Sequence, residues 1–349
     1  MKIVFKVFKV CLFFGACFGF YVLGIIAFGT LTEHHFKDEI SLGIHTNTPT
    51  FYNDSTFEFI TWNVGFFGLG EESDFFYDGG NDVFQSKKTV AKNMNGALDF
   101  VSYNPSIDFF LFQEVDSFSW RSQKLNFLEE VDLLEGTYQS HFGLNYASKF
   151  VPIPIVNPMG PTYGGLFSMS KYIVEVAFRY DLRTESLWPK RLFFLKRCFL
   201  TQRIKLHEKD LVVVNIHNSA YDKSGEKKNK EMNQLLDFAV AEYQKGNAVV
   251  IGGDWNQSPP NYEAKNMPEN FLNASFTDAD IPKGWKWVAD VNTPTNRKLD
   301  KPYSKELSHT SVVDHFLVSP NVKVDSVKVI DMDFAYSDHQ PVYLKVTVK

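Results

Sequence analysis

The chain has few cysteines, and their positions exclude two classes of protein. Only three occur among its 349 residues, Cys11, Cys17 and Cys198, and the first two lie in an apolar N-terminal run. Such a set cannot build the disulfide framework of a small secreted domain, nor a thiolate metal cluster. Any metal bound by the body of the protein must therefore be held by oxygen and nitrogen ligands.

The chain also lacks an excess of basic residues. Its composition, 44% apolar and 22% charged, is that of a globular protein and excludes a disordered chain or a polytopic membrane protein. Without Lys2, Lys6 and Lys9, 33 of the 36 basic residues remain against 41 acidic ones. An acidic body has no general attraction to a polyanion, so nucleic acid stays open as a partner but is not favoured.

One long uncharged run stands near the N-terminus. It extends from Val10 to Leu31, follows Lys2, Lys6 and Lys9, and precedes the charged stretch EHHFKDE. Its 22 residues can span a bilayer core of about 30 Å at about 1.5 Å per residue. Because lysines mark the cytoplasmic side of a span, the sequence predicts a single-pass anchor with a cytoplasmic N-terminus and an extracytoplasmic body.

A cleaved signal peptide is the alternative to this anchor. The run contains Ala27-Phe28-Gly29, and small residues of this kind precede signal cleavage sites. The apolar part of a signal peptide is usually only about 7–15 residues long, which favours the anchor. The alternative would leave a secreted protein with the same body.

The rest of the chain is predicted to form a linker and one domain. Residues 1–31 carry the lysines and the anchor, the polar residues 32–56 are interpreted as a tether, and residues 57–349 form the body, which we expect to be monomeric. Short apolar runs bounded by turn-forming residues predict strands, several of them buried on both faces. Helices are predicted after Ser86 and over Asn229–Lys245, which makes the body an α/β domain.

Polar side chains end several of the predicted strands, where packing does not explain them. They are Asn63, Glu114, His217, Asp254, Asn256, Asp314, Asp338 and His339. If neighbouring strands align their ends, these carboxylates converge, and packed carboxylates need a cation or shared protons. An oxygen-rich ligand set without cysteine favours Mg²⁺ or Mn²⁺ over zinc.

These residues also carry a resemblance to a known family. In order, the motifs are Trp62-Asn63, Gln113-Glu114, Asn215-Ile216-His217, Gly253-Asp254-Trp255-Asn256, Asp314-His315 and Ser337-Asp338-His339-Gln340-Pro341. Together they resemble the signature of the endonuclease/exonuclease/phosphatase superfamily, which includes deoxyribonuclease I, apurinic endonucleases, inositol polyphosphate 5-phosphatases and neutral sphingomyelinases. The resemblance implies a four-layer α/β sandwich of two mainly antiparallel sheets with helices outside, and a site at one end of the strands.

The resemblance also implies a metal site and a base. Glu114 matches the main metal-binding carboxylate of the family, with Asn63 beside it and Asp338 as a further ligand. Asp254 matches the residue that orients or deprotonates the attacking water. Asn256 matches its neighbour on the phosphate.

Two histidines have implied roles toward the phosphate. His339 matches the residue that contacts phosphoryl oxygens, and Asp314 would orient it through the other ring nitrogen. His217 matches a position that faces the scissile phosphate or the leaving group. The segment after it has Ala220 where apurinic endonucleases place an asparagine, which weakens a DNA-repair assignment.

Basic residues outside these motifs are candidates for substrate binding. We expect Lys171 and Arg203 to contact the substrate. Arg203 belongs to a stretch, residues 188–203, in which lysines and arginines alternate with aromatic residues. That stretch fits phosphate or lipid contact and fits an exposed strand edge equally well.

Together, these features predict a membrane-anchored, Mg²⁺- or Mn²⁺-dependent phosphoesterase. It would hydrolyse a phosphodiester, or a phosphomonoester, with an activated water. The acidic body and the anchor slightly favour a lipid headgroup or another envelope phosphodiester as the substrate. An extracytoplasmic nuclease and a catalytically silent, tethered binding module are the alternatives.

Overall fold

Two β-sheets pack face to face, and helices cover their outer faces. The computed structural model describes residues 2–44, 51–132, 138–220, 225–262 and 275–349. The body is a four-layer α/β sandwich, which confirms the predicted fold class.

The helices and strands follow one another along the chain in an α/β order. They are α1 (Lys2–Leu31), β1 (Glu39–Ile44), β2 (Thr56–Asn63), α2 (Lys87–Tyr103), β3 (Phe109–Asp116), α3 (Phe127–Asp132), β4 (Gln139–Val151), β5 (Gly160–Ser170), β6 (Val174–Asp181), β7 (Cys198–Lys205), β8 (Asp210–His217), α4 (Glu226–Gln244), β9 (Ala248–Asp254), β10 (Lys286–Val288), β11 (Asn296–Arg297), β12 (Thr310–Ser311), β13 (Asp314–Val318), β14 (Val322–Val329) and β15 (Val342–Val348).

Both large sheets are mainly antiparallel, as expected. The seven-stranded sheet has the order β1-β6-β7-β8-β9-β13-β10, and the six-stranded sheet has the order β14-β15-β2-β3-β5-β4. The seven-stranded sheet contains the parallel pair β8–β9, and the six-stranded sheet contains the parallel pair β2–β3. A short hairpin, β11–β12, lies outside both sheets.

The principal core lies between the sheets. Phe59 and Phe109 are fully buried there, and their rings stack with centroids 4.8 Å apart. Phe316 and Leu344 close the same cluster from neighbouring strands. Burial of such large apolar side chains, each about 1.5–3 kcal/mol, holds the two sheets together.

Each parallel pair is joined by a helix that packs outside its sheet. Ser86 caps α2, because its Oγ accepts a hydrogen bond from the backbone N–H of Thr89 at 3.2 Å, and Val90 and Met94 face the six-stranded sheet. Helix α4 packs Leu235 on the seven-stranded sheet. Each helix carries the chain back to the edge of the sheet where the preceding strand began, so the two strands of each pair run in the same direction. Strands β2, β3, β8 and β9 therefore all end at one edge of the sandwich, which we call the carboxyl edge.

The interpretation of residues 32–56 as a free linker needs a correction. Strand β1 pairs with β6, so residues 39–44 belong to the seven-stranded sheet. The side chain of Glu33 is only 4% exposed and forms ion pairs with Lys196 at 2.9 Å and Arg191 at 3.0 Å. A six-residue strand containing a glycine is too short to show a clear alternation, so the sequence pattern missed it.

Helix α1 has the composition and length of a membrane span. Within Ile3–Leu31, an 18-residue stretch has a mean hydropathy of 2.3, and 0% of that stretch is buried. At 29 residues it is long enough to cross a bilayer core. An N-terminal signal sequence has the same properties.

Candidate active site

The carboxyl edge brings the polar strand ends of both sheets together. Asn63, His217 and Asp254 are the last residues of β2, β8 and β9. In the sheet, Asp254 lies opposite both His217 and Asp314. Glu114 joins them from β3, and Asp338 and His339 from the segment before β15. The convergence follows from the two parallel pairs, since parallel strands end at the same edge.

Asp254 lies at the centre of this cluster. Its Oδ2 accepts a hydrogen bond from Asn63 Nδ2 at 3.0 Å and lies 3.4 Å from His217 Nε2 and 3.8 Å from His339 Nε2. Its Oδ1 accepts from the backbone N–H of Asn256 at 2.9 Å. The residue is 1% exposed, so the carboxylate is held in one orientation by neighbours from both sheets.

Asn63 orients two carboxylates. Its Nδ2 donates to Glu114 Oε1 at 3.2 Å as well as to Asp254, and its Oδ1 accepts from the backbone N–H of Gly65 at 3.0 Å. The amide oxygen expected beside the metal is thus turned to the backbone. In this arrangement Asn63 positions Glu114 and Asp254 for a cation or a substrate.

A β-bulge aims Glu114 into the site. The register of β3 against β5 shifts between Phe112 and Val115, and Glu114 has a φ of 54°. A bulge inserts one residue and changes the direction of its side chain. Glu114 is therefore only partly buried between neighbours that are fully buried.

Asp314 and His339 form a buried pair. The Nδ1 of His339 lies 2.8 Å from Asp314 Oδ2, and its Nε2 lies 2.9 Å from Nδ2 of Asn296, an amide nitrogen that can only donate. Burial opposes a charge on His339, but the carboxylates of Asp314, Asp254 and Asp338 outweigh it and raise the pKa of His339 well above its ordinary value. The carboxylates therefore favour the protonated ring, whereas the donor Nδ2 of Asn296 at Nε2 fits the neutral ring with its proton on Nδ1.

The pKa of His217 is shifted in the opposite direction. Burial lowers the pKa of His217 well below its ordinary value, and the positive charges of Arg197 and His339 lower it further. The imidazole is thus neutral beside Asp254. The pKa values of the two histidines that lie at the same carboxylate are thus shifted in opposite directions, which suits them to different roles.

Glu114 and Asp338 fit an oxygen-liganded divalent cation. Burial, together with the negative charge of Glu114, raises the pKa of Asp338 to about 7, although the positive charge of His339 opposes this shift. A carboxylate whose charge is disfavoured by burial and by a second carboxylate is suited to bind Mg²⁺ or Mn²⁺, which prefer oxygen ligands. Gly65 has a φ of 49°, and a Cβ there would lie 2.7 Å from Asp338 Oδ1, so glycine leaves room for this carboxylate.

A second group has metal-binding geometry. Ligand atoms of Asp254, Asp314 and His339 lie within 4.8 Å of one another. His339 already uses Nδ1 to bind Asp314, and its raised pKa opposes the neutral form that a metal ligand needs. This group is therefore less suited to a cation than the carboxylates of Glu114 and Asp338.

Three residues of the site were missed in the sequence. Asn296 reaches His339 from the short strand β11, where no motif marks it. Arg121 is buried and forms a two-pronged ion pair with Asp116, at 2.9 Å for each bond. Asp116 follows Glu114 by two residues on the same strand, and that spacing was the available signal.

Lys171 and Arg203, expected to bind substrate, lie at the other edge of the sandwich. Lys171 follows Ser170, which pairs with the first residue of β3. Arg203 lies opposite Val212, about 17 Å along β8 from His217 at about 3.4 Å per residue, and its guanidinium is paired with Asp210 and Glu242. That expectation was wrong because strand direction, which a single sequence does not reveal, decides which end of a strand reaches the site.

Comparisons with known proteins agree with this geometry. The model of the endonuclease/exonuclease/phosphatase family matches residues 60–339. The comparison with curated proteins gave no match.

Solved structures show the same fold. The structure of D. rerio TDP2 complexed with a single-strand DNA product has a TM-score of 0.54 and 14% identity, over 84% of this chain and 100% of that chain. An endonuclease/exonuclease/phosphatase from Beutenbergia cavernae has a TM-score of 0.53 and 17% identity, over 84% and 72%. A family protein from Leptotrichia buccalis has a TM-score of 0.54 and 14% identity, over 83% and 99%.

Proposed function

This chain belongs to the endonuclease/exonuclease/phosphatase family, and we propose on that basis that it is a divalent-metal-dependent phosphodiesterase held at a membrane by α1. Members of the family are generally hydrolases of phosphoester bonds. The observation that carries the proposal is the position of Asp254, which lies within 3.0–3.8 Å of Asn63, His217 and His339, contributed by both sheets. The carboxylates of Glu114 and Asp338 complete the set from the same edge.

Asp254 is proposed to act on the attacking water. Its carboxylate is buried and oriented by Asn63 and Asn256, and it can accept the proton that the water loses as its oxygen attacks phosphorus. The bond from phosphorus to the leaving oxygen then breaks. A bound divalent cation would supply positive charge to the phosphoryl oxygens and the leaving group.

The two histidines are proposed to have different hydrogen-bonding roles in the reaction. When it is protonated, His339, held by Asp314, can donate from Nε2 to a phosphoryl oxygen as negative charge develops there. That donation requires the Asn296 amide, whose Nδ2 lies 2.9 Å from the same nitrogen, to turn its oxygen toward it or to leave the position to the substrate. Neutral His217 can donate one hydrogen bond near Asp254 without adding a charge.

A chromogenic diester tests the proposed activity. The full chain, purified in detergent, is expected to release 4-nitrophenol from bis(4-nitrophenyl) phosphate when Mg²⁺ or Mn²⁺ is present, because the probe needs only the phosphoryl chemistry and no substrate-specific pocket. The measurement is the absorbance of 4-nitrophenolate against time. A folded chain that releases no product with either cation would favour a catalytically silent binding module.

The orientation in the membrane is a separate part of the proposal. Lys2, Lys6 and Lys9 before the apolar helix support a cytoplasmic N-terminus and an extracytoplasmic body. Protease added to intact cells or spheroplasts is expected to digest the body, and a carbonate wash is expected to leave the undigested chain in the membrane. A protected body would reverse the orientation. A product that lacks about 30 N-terminal residues and washes off would replace the anchor with a cleaved signal.

A further inference from the structure

Three loops at the carboxyl edge expose large apolar side chains. One follows β3, one joins β4 to β5, and one joins β6 to β7. We call the exposed residues on these loops the apolar face: Phe118, Trp120, Ile155, Val156, Leu187 and Trp188. Val156 is 97% exposed and Leu187 is 87% exposed, so neither contributes to the core. Exposed apolar residues clustered on neighbouring loops indicate a surface that meets an apolar partner.

Direct contacts join the three loops. The ring of Trp120 lies so close to Gly160 that a Cβ there would come within 2.3 Å of it, which joins the first loop to the second. Tyr146, on β4, donates from its hydroxyl to the carbonyl of Phe193 at 2.8 Å. Ile153 of the second loop and Leu195 of the third pack on the same cluster as Tyr146, so the apolar face lies on one side of the molecule.

The third loop also holds the end of the membrane helix. Gly29 packs against the ring of Phe193, and Trp188 Nε1 donates to Thr30 Oγ1 at 3.2 Å. The ion pairs of Glu33 with Lys196 and Arg191, of which only the first is buried on both sides, lie just beyond the helix. The end of α1 is therefore docked on the loop that carries Leu187 and Trp188.

The same loop reaches the catalytic cluster. Arg197 follows Lys196 directly, and its Nη1 donates to the backbone carbonyl of His217 at 3.2 Å. One connection thus contacts the segment just after the helix through residue 196 and the site through residue 197. The carboxyl edge and the end of the span lie on the same side of the body.

We infer that the apolar face docks on the surface of the membrane that α1 spans, and that the substrates are phosphoester headgroups of lipids in that membrane. The inference rests on the proposed function and specifies its substrate class. With the end of α1 at the membrane interface, Trp188 lies at the depth where tryptophan is enriched in membrane proteins. Lys190, exposed beside it, adds a cation that attracts anionic headgroups to an otherwise acidic body.

Vesicles and a soluble diester together test this inference. The full chain is reconstituted in vesicles of equal parts phosphatidylcholine, phosphatidylethanolamine, phosphatidylglycerol and sphingomyelin. Two rates are measured with Mg²⁺: release of water-soluble phosphate esters from the lipids, and hydrolysis of bis(4-nitrophenyl) phosphate. A double variant, Val156→Ser with Leu187→Ser, is expected to lose lipid hydrolysis by about tenfold or more, because each substitution removes apolar area that the bilayer would bury. Its hydrolysis of the soluble diester is expected to stay within about twofold of wild type, because neither side chain touches the catalytic cluster.

Tyr103→Ser is the matched control. Tyr103 is 80% exposed at the end of α2, which lies at the edge opposite the site. Its substitution is expected to leave both rates unchanged.

Three other outcomes are possible, and each would contradict a different part of the inference. If the double variant hydrolyses vesicle lipid as fast as wild type, the apolar face is not a membrane-docking surface. If the wild type hydrolyses the soluble diester but no vesicle lipid, the lipid assignment fails and the proposed function stands; cleavage of an added single-stranded oligonucleotide would then favour a nuclease. If the wild type hydrolyses neither phosphoester, the proposed function fails together with the inference.

Discussion

Asp254→Asn is expected to lower hydrolysis of a phosphodiester by about 10²–10⁴-fold, the usual contribution of a general base. The amide has nearly the shape of the carboxylate but cannot accept the proton of the attacking water. Removal of the negative charge also removes the electrostatic attraction between this carboxylate and protonated His339, whose Nε2 lies 3.8 Å away. The measurement is the initial rate with bis(4-nitrophenyl) phosphate at saturating Mg²⁺.

The variant should fold, although at some cost in stability. Asp254 accepts hydrogen bonds at both oxygens, from Asn63 Nδ2 and from the backbone of Asn256, and an asparagine can preserve only one of them. An unpaired buried donor costs about 1–3 kcal/mol, so circular dichroism and a melting curve must accompany the assay. Asp237→Asn makes the same exchange on the exposed face of α4 and should retain the wild-type rate. A folded Asp254→Asn protein with a near wild-type rate would show that another residue is the base.

Removal of the divalent cation is the other change with a very large expected effect. Excess chelator should reduce hydrolysis to background, and Mg²⁺ or Mn²⁺ should restore it. The physical reason is that a cation supplies several kcal/mol of charge stabilisation in the transition state, equivalent to about 10³-fold or more in rate. Glu114→Gln should mimic this loss at low Mg²⁺, because it removes a charged ligand while preserving the side-chain length.

The response to added metal separates a ligand from a merely structural residue. With Glu114→Gln, a higher Mg²⁺ concentration should be needed for half-maximal activity. Glu130→Gln, on the exposed surface of α3, should follow the wild-type titration. Full activity of the wild type in excess chelator would contradict the metal assignment. An unchanged Mg²⁺ titration of Glu114→Gln would place the cation elsewhere.

Most of the catalytic cluster could be predicted from the sequence because its residues occupy strand ends. Asn63, His217 and Asp254 each follow a run of buried apolar residues, where a polar side chain has no packing role. Such residues converge wherever their strands end together, and both parallel pairs place those ends at the carboxyl edge. The local pattern therefore singled these residues out, and the resemblance to the family supplied the roles expected of them.

Other members of the site have no local signal. Asn296 lies in a two-residue strand, and its contact with His339 spans 43 residues of sequence. The orientation of the Asn63 amide is set by the N–H of Gly65 and by two carboxylates from other strands. Contacts of this kind depend on how distant segments pack, so no spacing within one motif could predict them.

By itself, the sequence determined the α/β class, the membrane-compatible helix and the residue types at the strand ends, because each depends on local periodicity or on chemistry that packing does not require. Only the tertiary structure decided that Lys171 and Arg203 lie at the edge away from the site and that residues 39–44 form a strand. It also decided that the loop holding the end of α1 contacts His217. These features follow from strand direction and long-range pairing, since the same short segment can be placed at either edge of a sheet and only its neighbours in space determine which.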